Sequence, residues 1–527
     1  MSKKRVFLLL FLIIIFHLLN NFIILKTDNT LPFGHYGLYF SHSVYLFKQL
    51  ENISPQFIAE MFNVNNVYPP LLYLTPIPLY FIFNIDYDLA AFSIGLFYIS
   101  IFVFSLYLLG AYFYKPSVGI MAAFIGSLFP GIFGYSRVFI MAFPMVAILT
   151  LNIFLMFKTE VFKKTEYALL FAFVLALGML MKKFYLIYIF FLILIYLIEN
   201  RGLIFKKSLR FFSNILIILT IIITISGGWY FRHMSSIFHQ LKSEQTLIFC
   251  NKNYNFDPVF FFKLLINYQL GWFLLSLFFV AIIYCIIKKR CNIFILSWII
   301  LPYCISSIFV VHGSSRYTMA MLPAMAIIIA YGLISFSDSL RVRKKFLLNR
   351  LFIVTILGVS IFNFFKLSYG GGPSVFSYKD ETDRFFYTGL LTPKKINWDI
   401  KNLEKILIQN NKSRTIVDGF GCWYILNDYL NNFIKNNDVS ASFNHLEFDQ
   451  RDRDHRELIK KSDFIILRSD NGSSAPNASI SLDGENLDKI NCFINIFYDY
   501  ENEFKLFDKI IIGDDARKTA FLIYQRI

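Results

Sequence analysis

The sequence predicts an all-α polytopic membrane bundle of about 11 transmembrane helices, followed by a small α/β domain. Three observations predict it. Hydrophobic residues make up 56% and aromatic residues 19% of 527 positions, more than a soluble core can conceal. Apolar stretches long enough to cross about 30 Å of hydrocarbon recur through the first two thirds of the chain. Beyond the glycine-rich "YGGGP" the pattern turns polar, mixed in charge and broken into short apolar runs.

The expected spans are 6–25, 89–114, 118–135, 139–157, 167–181, 184–198, 211–229, 268–287, 293–311, 318–336 and 351–365. The segment 69–83 holds four prolines and is short, so it reads as a partly inserted or surface helix. Starting from "MSKKR" on the cytoplasmic side, every second loop is basic: Lys115, then Lys158, Lys163 and Lys164, then "RGLIFKKSLR", "KKR" and "RVRKK". This is the positive-inside pattern, and an odd number of crossings puts the C-terminal third outside. The first span is too long for a signal peptide and has no small-residue cleavage site after it, so it is expected to stay. These loops also account for the net charge of +16 without nucleic acid as a partner.

The division expected is 1–369 for the bundle, with an outer loop at 26–68, then 370–373 as a linker and 374–527 as the extracytoplasmic α/β domain. In that domain "RTIVDG", "DFIILRS" and "DKIIIGDD" read as strands, "IKNLEKILIQNN" and "CWYILNDYLNNFI" as helices, and the final "TAFLIYQRI" as an edge strand. The six cysteines lack metal-ligand spacing; Cys422 and Cys492 are either a disulfide or free thiols.

Two adjacent lysines, Lys182 and Lys183, interrupt a long apolar run. A charge at the bilayer centre costs about 3 kcal/mol or more, so the pair must mark a hairpin. With the orientation above that hairpin is outer, where positive charge is disfavoured. Arg137 in "GYSRVF" and Arg316 in "HGSSRYTM" occupy the other tight outer turns, and "GGWYFRH" brings Arg232 to the same face. Each cation alone can be a snorkelling side chain at a span end. As a set they point to a phosphate pocket, since arginine offers a planar fork and lysine a point charge to phosphate oxygens.

Asp28 is the earliest acid after the first span, at the depth of lipid headgroups, and is a candidate base, although "TDN" taken alone reads first as a helix-ending turn on a solvated loop. Glu51 and Glu60 lie on an amphipathic surface helix and read as solvated. Tyr68, Tyr73 and Tyr80 suit a groove for donor or acceptor, or an interfacial aromatic belt, and Tyr317 and His35 are grouped with that groove. His35 and His42 are seven residues apart with no third ligand in view, so no metal site and no cofactor are expected.

Several motifs in order resemble a known group. They are Asp28 after the first span, "YPPLLYLTPIPLYFIFN", "LYLLGAYFYKPSVGIMAAFIGSLFPGIFGYSRVFIMAFP", "LGMLMKK", "GGWYFRH" and "SSRYTMAMLPAMAIIIAYGL". Together, over roughly the first 340 residues, they resemble the GT-C superfamily of multispanning glycosyltransferases that use lipid-phosphate sugars. Within it the likeness is to glycosyltransferase family 39, the protein O-mannosyltransferase and aminoarabinose lipid A transferase type. The resemblance implies that Asp28 is the catalytic base, that Lys182 and Arg316 hold the lipid phosphate, and that Arg137 matches the family's Ser-Arg element. Where relatives carry an acid before a proline, this chain has Phe143 and Pro144.

The function implied is transfer of a sugar from a polyprenyl-phosphate donor to an acceptor hydroxyl on a glycan, lipid or protein at the outer face, with inversion. The expected location is a bacterial inner membrane. Two other readings share the outer cations: a transporter or flippase of lipid-linked sugars, and a lipid-linked glycan polymerase or ligase. The first would show paired halves and charges at mid-membrane depth; neither is seen in the sequence.

Overall fold

The computed structural model describes residues 2–28, 35–51, 61–65, 67–204, 208–238, 258–290, 292–309, 315–342 and 346–369; beyond 396 it describes six strands and a few residues near them. By contacts the chain divides into two units. One is Met1–Leu25 with Leu46–Thr392, and the other is Lys26–Tyr45 with Pro393–Ile527.

The first unit is a helical bundle. Among the described residues six of its helices are long and apolar enough to cross a membrane: α1 (Lys3–Thr27), α2 (Asp88–Phe113), α7 (Leu209–Phe238), α8 (Val259–Ile287), α10 (Ser315–Leu340) and α11 (Leu347–Tyr369). Shorter apolar helices are α3 (Pro116–Ser127), α4 (Ala142–Lys158), α5 (Thr165–Met181), α6 (Tyr185–Glu199) and α9 (Ile293–Ile308). Apolar helices of this length need hydrocarbon around them, and the protein is an integral membrane protein.

Lipid tails are as apolar as leucine, so these helices associate through close fit rather than through escape from water. Small residues supply the fit. A Cβ on Gly110 of α2 would sit 2.7 Å from the Cα of Gly119 on α3, so the two backbones touch there. A Cβ on Gly332 of α10 would meet the Ala281 side chain of α8 at 2.6 Å.

The expected span 118–135 is divided. Proline removes a backbone donor and pushes the residue before it out of the helical region. Phe129, with ψ 128°, is extended immediately before Pro130, so α3 stops at Ser127 and a separate short helix runs Pro130–Tyr135. The proline-rich 69–83 forms two single turns, Leu71–Leu74 and Ile77–Tyr80.

Lys115, between α2 and α3, pairs with Asp338 near the end of α10, and Lys163, between α4 and α5, donates to the Leu203 carbonyl at 2.9 Å. The turn between α5 and α6 instead meets the start of α10.

In the second unit a six-stranded sheet has the order β1-β5-β6-β4-β2-β3. Its strands are β1 (Asn397–Trp398), β2 (Arg414–Asp418), β3 (Ala441–His445), β4 (Phe464–Arg468), β5 (Phe504–Asp514) and β6 (Arg517–Arg526). The strands expected at "RTIVDG", "DFIILRS" and "DKIIIGDD" are present. The last strand is not an edge: β6 pairs antiparallel with both β5 and β4. A sequence pattern reports which faces are apolar but not which neighbours supply hydrogen bonds, and "TAFLIYQRI" is apolar enough for the interior. The two helical patterns expected in this domain, the 370–373 linker, Glu60, Cys422 and Cys492 lie outside the described residues.

Candidate functional site

The turn between α5 and α6 is built around Gly178. A Cβ there would lie 2.3 Å from the Tyr185 ring, so only glycine lets the first residue of α6 fold back against α5. The Tyr185 hydroxyl is held by Asn152 of α4 at 3.1 Å. Lys182 caps α5 in an extended conformation, φ −151° and ψ 128°, which turns its side chain out of the helix path.

Lys182 Nζ lies 5.2 Å from the centre of the Tyr317 ring, and the Arg316 guanidinium carbon is also 5.2 Å from that centre. The Tyr317 carbonyl accepts a hydrogen bond from the Tyr188 hydroxyl of α6 at 3.1 Å. One aromatic ring thus gathers two cations from helices far apart in sequence, an arrangement in which the ring's negative face offsets part of their repulsion. Burial first, then the charges of Arg316 and Lys183, bring the Lys182 ammonium down to about 7. An anion placed among these groups would favour the charged ammonium and raise it again.

Lys183 is buried beside them. Its ammonium lies 5.3 Å from the Tyr68 ring centre and 4.9 Å from that of Phe184. Its carbonyl accepts from the Tyr230 hydroxyl of α7 at 3.1 Å. Tyr68 is positioned by the Asn65 side chain, which accepts from the backbone N–H of Val67 and of Tyr68 at 2.7 and 2.8 Å. Tyr73, one turn along, is fully buried, and burial followed by the nearby Tyr68 raises its phenol well above 10.0. Arg232 is exposed and donates to the Asn63 side chain at 3.1 Å.

Arg137 has a different setting. It is 2% exposed, donates to Asn21 of α1 at 3.2 Å and to Ser368 of α11 at 2.8 Å, and lies over the rings of Phe133 and Phe364. Burial lowers it to about 9, where a guanidinium keeps its charge at neutral pH. Phe143, where relatives of the resembled family carry an acid, is wholly buried against Phe102 with ring centres 5.8 Å apart.

Asp28 directly follows α1, is half-buried, and clusters with the second unit. His35 opens the helix His35–Glu51, and His42 lies on the same helix. Among the described residues no three His, Cys, Asp or Glu side chains converge as metal ligands.

The structure therefore brings together Lys182, Arg316 and Tyr317, and Lys183 with Tyr68. Sequence reasoning missed Tyr188, Tyr230, Gln269 and Thr318. Gln269 left a signal: an amide in the apolar "LLINYQLGW", where an unpartnered polar group is costly.

Residues 70–227 match the family model described as dolichyl-phosphate-mannose-protein mannosyltransferase. No curated protein matches the sequence. The fold is that of ArnT from Cupriavidus metallidurans. Its apo structure has 12% identity and a TM-score of 0.58 over 99% of this chain and 98% of that one. The structure of the same ArnT bound to undecaprenyl phosphate has 11% identity and a TM-score of 0.54 over 97% of each chain. The matched stretch 70–227 includes Lys182, Lys183 and Arg137, and over its whole length the chain shares the fold of ArnT, a fold of the GT-C type.

Proposed function

We propose that the protein transfers a sugar from a polyprenyl-phosphate donor to an acceptor hydroxyl on a glycan, lipid or protein at the extracytoplasmic face of a bacterial inner membrane. The observation that carries this reading is the convergence of Lys182 and Arg316 on Tyr317, with Lys183 and Tyr68 alongside. Such a group suits one phosphate better than lipid headgroups in general, because its cations are held by aromatic faces rather than extended toward solvent. The undecaprenyl phosphate bound by ArnT, which shares the fold, supports a lipid phosphate as the anion.

Asp28 takes the proton from the acceptor oxygen as that oxygen attacks the anomeric carbon, and the configuration inverts. The leaving group is a phosphodiester becoming a phosphate monoester, already anionic and in no need of a general acid. Lys182, Lys183 and Arg316 stabilise the charge that grows on it. Arg137, engaged with Asn21 and Ser368, supports the bundle rather than the donor.

The test is an assay of the purified protein with polyprenyl-phosphate sugars, following release of the lipid phosphate together with glycosylated product. Transport without release supports a flippase instead. Asp28→Asn should abolish transfer and leave affinity for undecaprenyl phosphate unchanged; a fully active variant removes Asp28 from the role.

A further inference from the structure

Gln269 is 0% exposed and sits in a π-helical turn, Leu265–Leu270, within α8. That turn ends at Gly271, whose φ of 73° breaks the helix before it resumes. π-Turns widen a helix by one residue and redirect a side chain. Here the redirected amide meets the start of α10. Its Nε2 donates to the Ser315 carbonyl, and its Oε1 accepts from the Thr318 hydroxyl at 3.1 Å. The two contacts bracket Arg316 and Tyr317.

The bracket is reinforced from another helix. The Tyr135 hydroxyl and Ser315 Oγ are 3.1 Å apart, and a Cβ on Gly131 would lie 3.2 Å from the Gln269 Cα and Cγ. The segment Ser315–Tyr317 is a single 3-10 turn, too short to hold its own geometry. An amide in an apolar interior costs stability unless both of its ends are matched, and this one is matched only by the backbone and hydroxyl on either side of the cation-bearing pair.

We propose that Gln269 is a positioning residue for donor-phosphate binding: it fixes the 315–318 turn so that Arg316 and Tyr317 meet Lys182. This rests on the reading of Arg316 as a phosphate contact. Gln269 touches no reacting atom and acts through that turn.

The experiment measures binding of undecaprenyl phosphate to the full-length protein in detergent micelles. Gln269→Leu should weaken affinity about tenfold, because two buried hydrogen bonds that set the turn are lost. In an Arg316→Ala background the same substitution should change affinity less than about twofold, since the contact it serves is gone. Gln269→Glu keeps the acceptor for Thr318 but donates to Ser315 only when protonated, and burial raises that carboxyl. Measured against wild type at the same pH, its affinity should approach parity in mild acid and fall progressively behind toward alkaline pH, a widening gap that loss of packing alone would not give. Equal affinity of Gln269→Leu and wild type, or an equal loss in both backgrounds, overturns the proposal. If Gln269→Leu does not fold, Thr318→Val carries the same comparison, with a several-fold loss expected and no loss fatal. Arg316→Ala binding as wild type does would refute the reading beneath, a failure visible before Gln269 is varied, and the inference with it.

Discussion

Lys182 holds its ammonium 5.2 Å from the centre of the Tyr317 ring, although the two residues lie on opposite sides of four intervening helices in the chain. The cation is kept near neutrality by its surroundings, and that sets how the site responds to pH.

The Lys182 ammonium stands at about 7 before a ligand arrives. A bound phosphate raises it, so the complex holds the proton more tightly than the free protein does. Affinity for undecaprenyl phosphate should therefore be flat below about pH 7 and fall by up to about tenfold per unit above it. The phosphate monoester itself titrates near pH 6, so the comparison is with Lys182→Arg, whose guanidinium does not titrate in this range. The decline should be absent from the arginine variant; identical profiles would disprove it.

Gly178→Ala places a methyl group 2.3 Å from the Tyr185 ring, against a side chain anchored by Asn152. Relief requires α6 to move, and overpacking of this kind costs about 1–3 kcal/mol. Thermal unfolding in detergent should show a lower midpoint, and donor affinity should drop because the Lys182 turn moves with α6. An unchanged midpoint would mean the turn yields freely.

Arg137 makes a contrasting prediction. Its removal leaves the Asn21 and Ser368 acceptors buried, at about 1–3 kcal/mol for each unsatisfied group. Arg137→Ala should lower the thermal midpoint more than Lys182→Ala does, and Arg137→Lys should not restore it, since an ammonium cannot span both acceptors. A variant that unfolds as wild type does but loses donor affinity would return Arg137 to the phosphate.

The bundle was legible in the sequence because bilayer spans are long, apolar and punctuated by charge, a signal that survives without any relatives. The break at Pro130 was missed, as was the division of 69–83 into two turns, because each proline was weighed against the apolar run around it and the run prevailed. Of the site, the cations could be found because charge at a tight turn is conspicuous. What separates Lys182 from Arg137 could not: both follow apolar spans, and only packing shows that one meets an aromatic ring while the other is enclosed by α1 and α11. Gln269 escaped for the opposite reason, being a neutral residue whose partners lie 46 and 49 positions away.

The Arg137 joint also orders the assembly of the protein in time. Ser368 leaves the ribosome 231 residues after Arg137, whereas Asn21 precedes it. During synthesis the Asn21 contact can form well before the Ser368 contact, which must wait for α11. A chain truncated before Ser368 therefore lacks the hydrogen bond from that serine that ties Arg137 to α11.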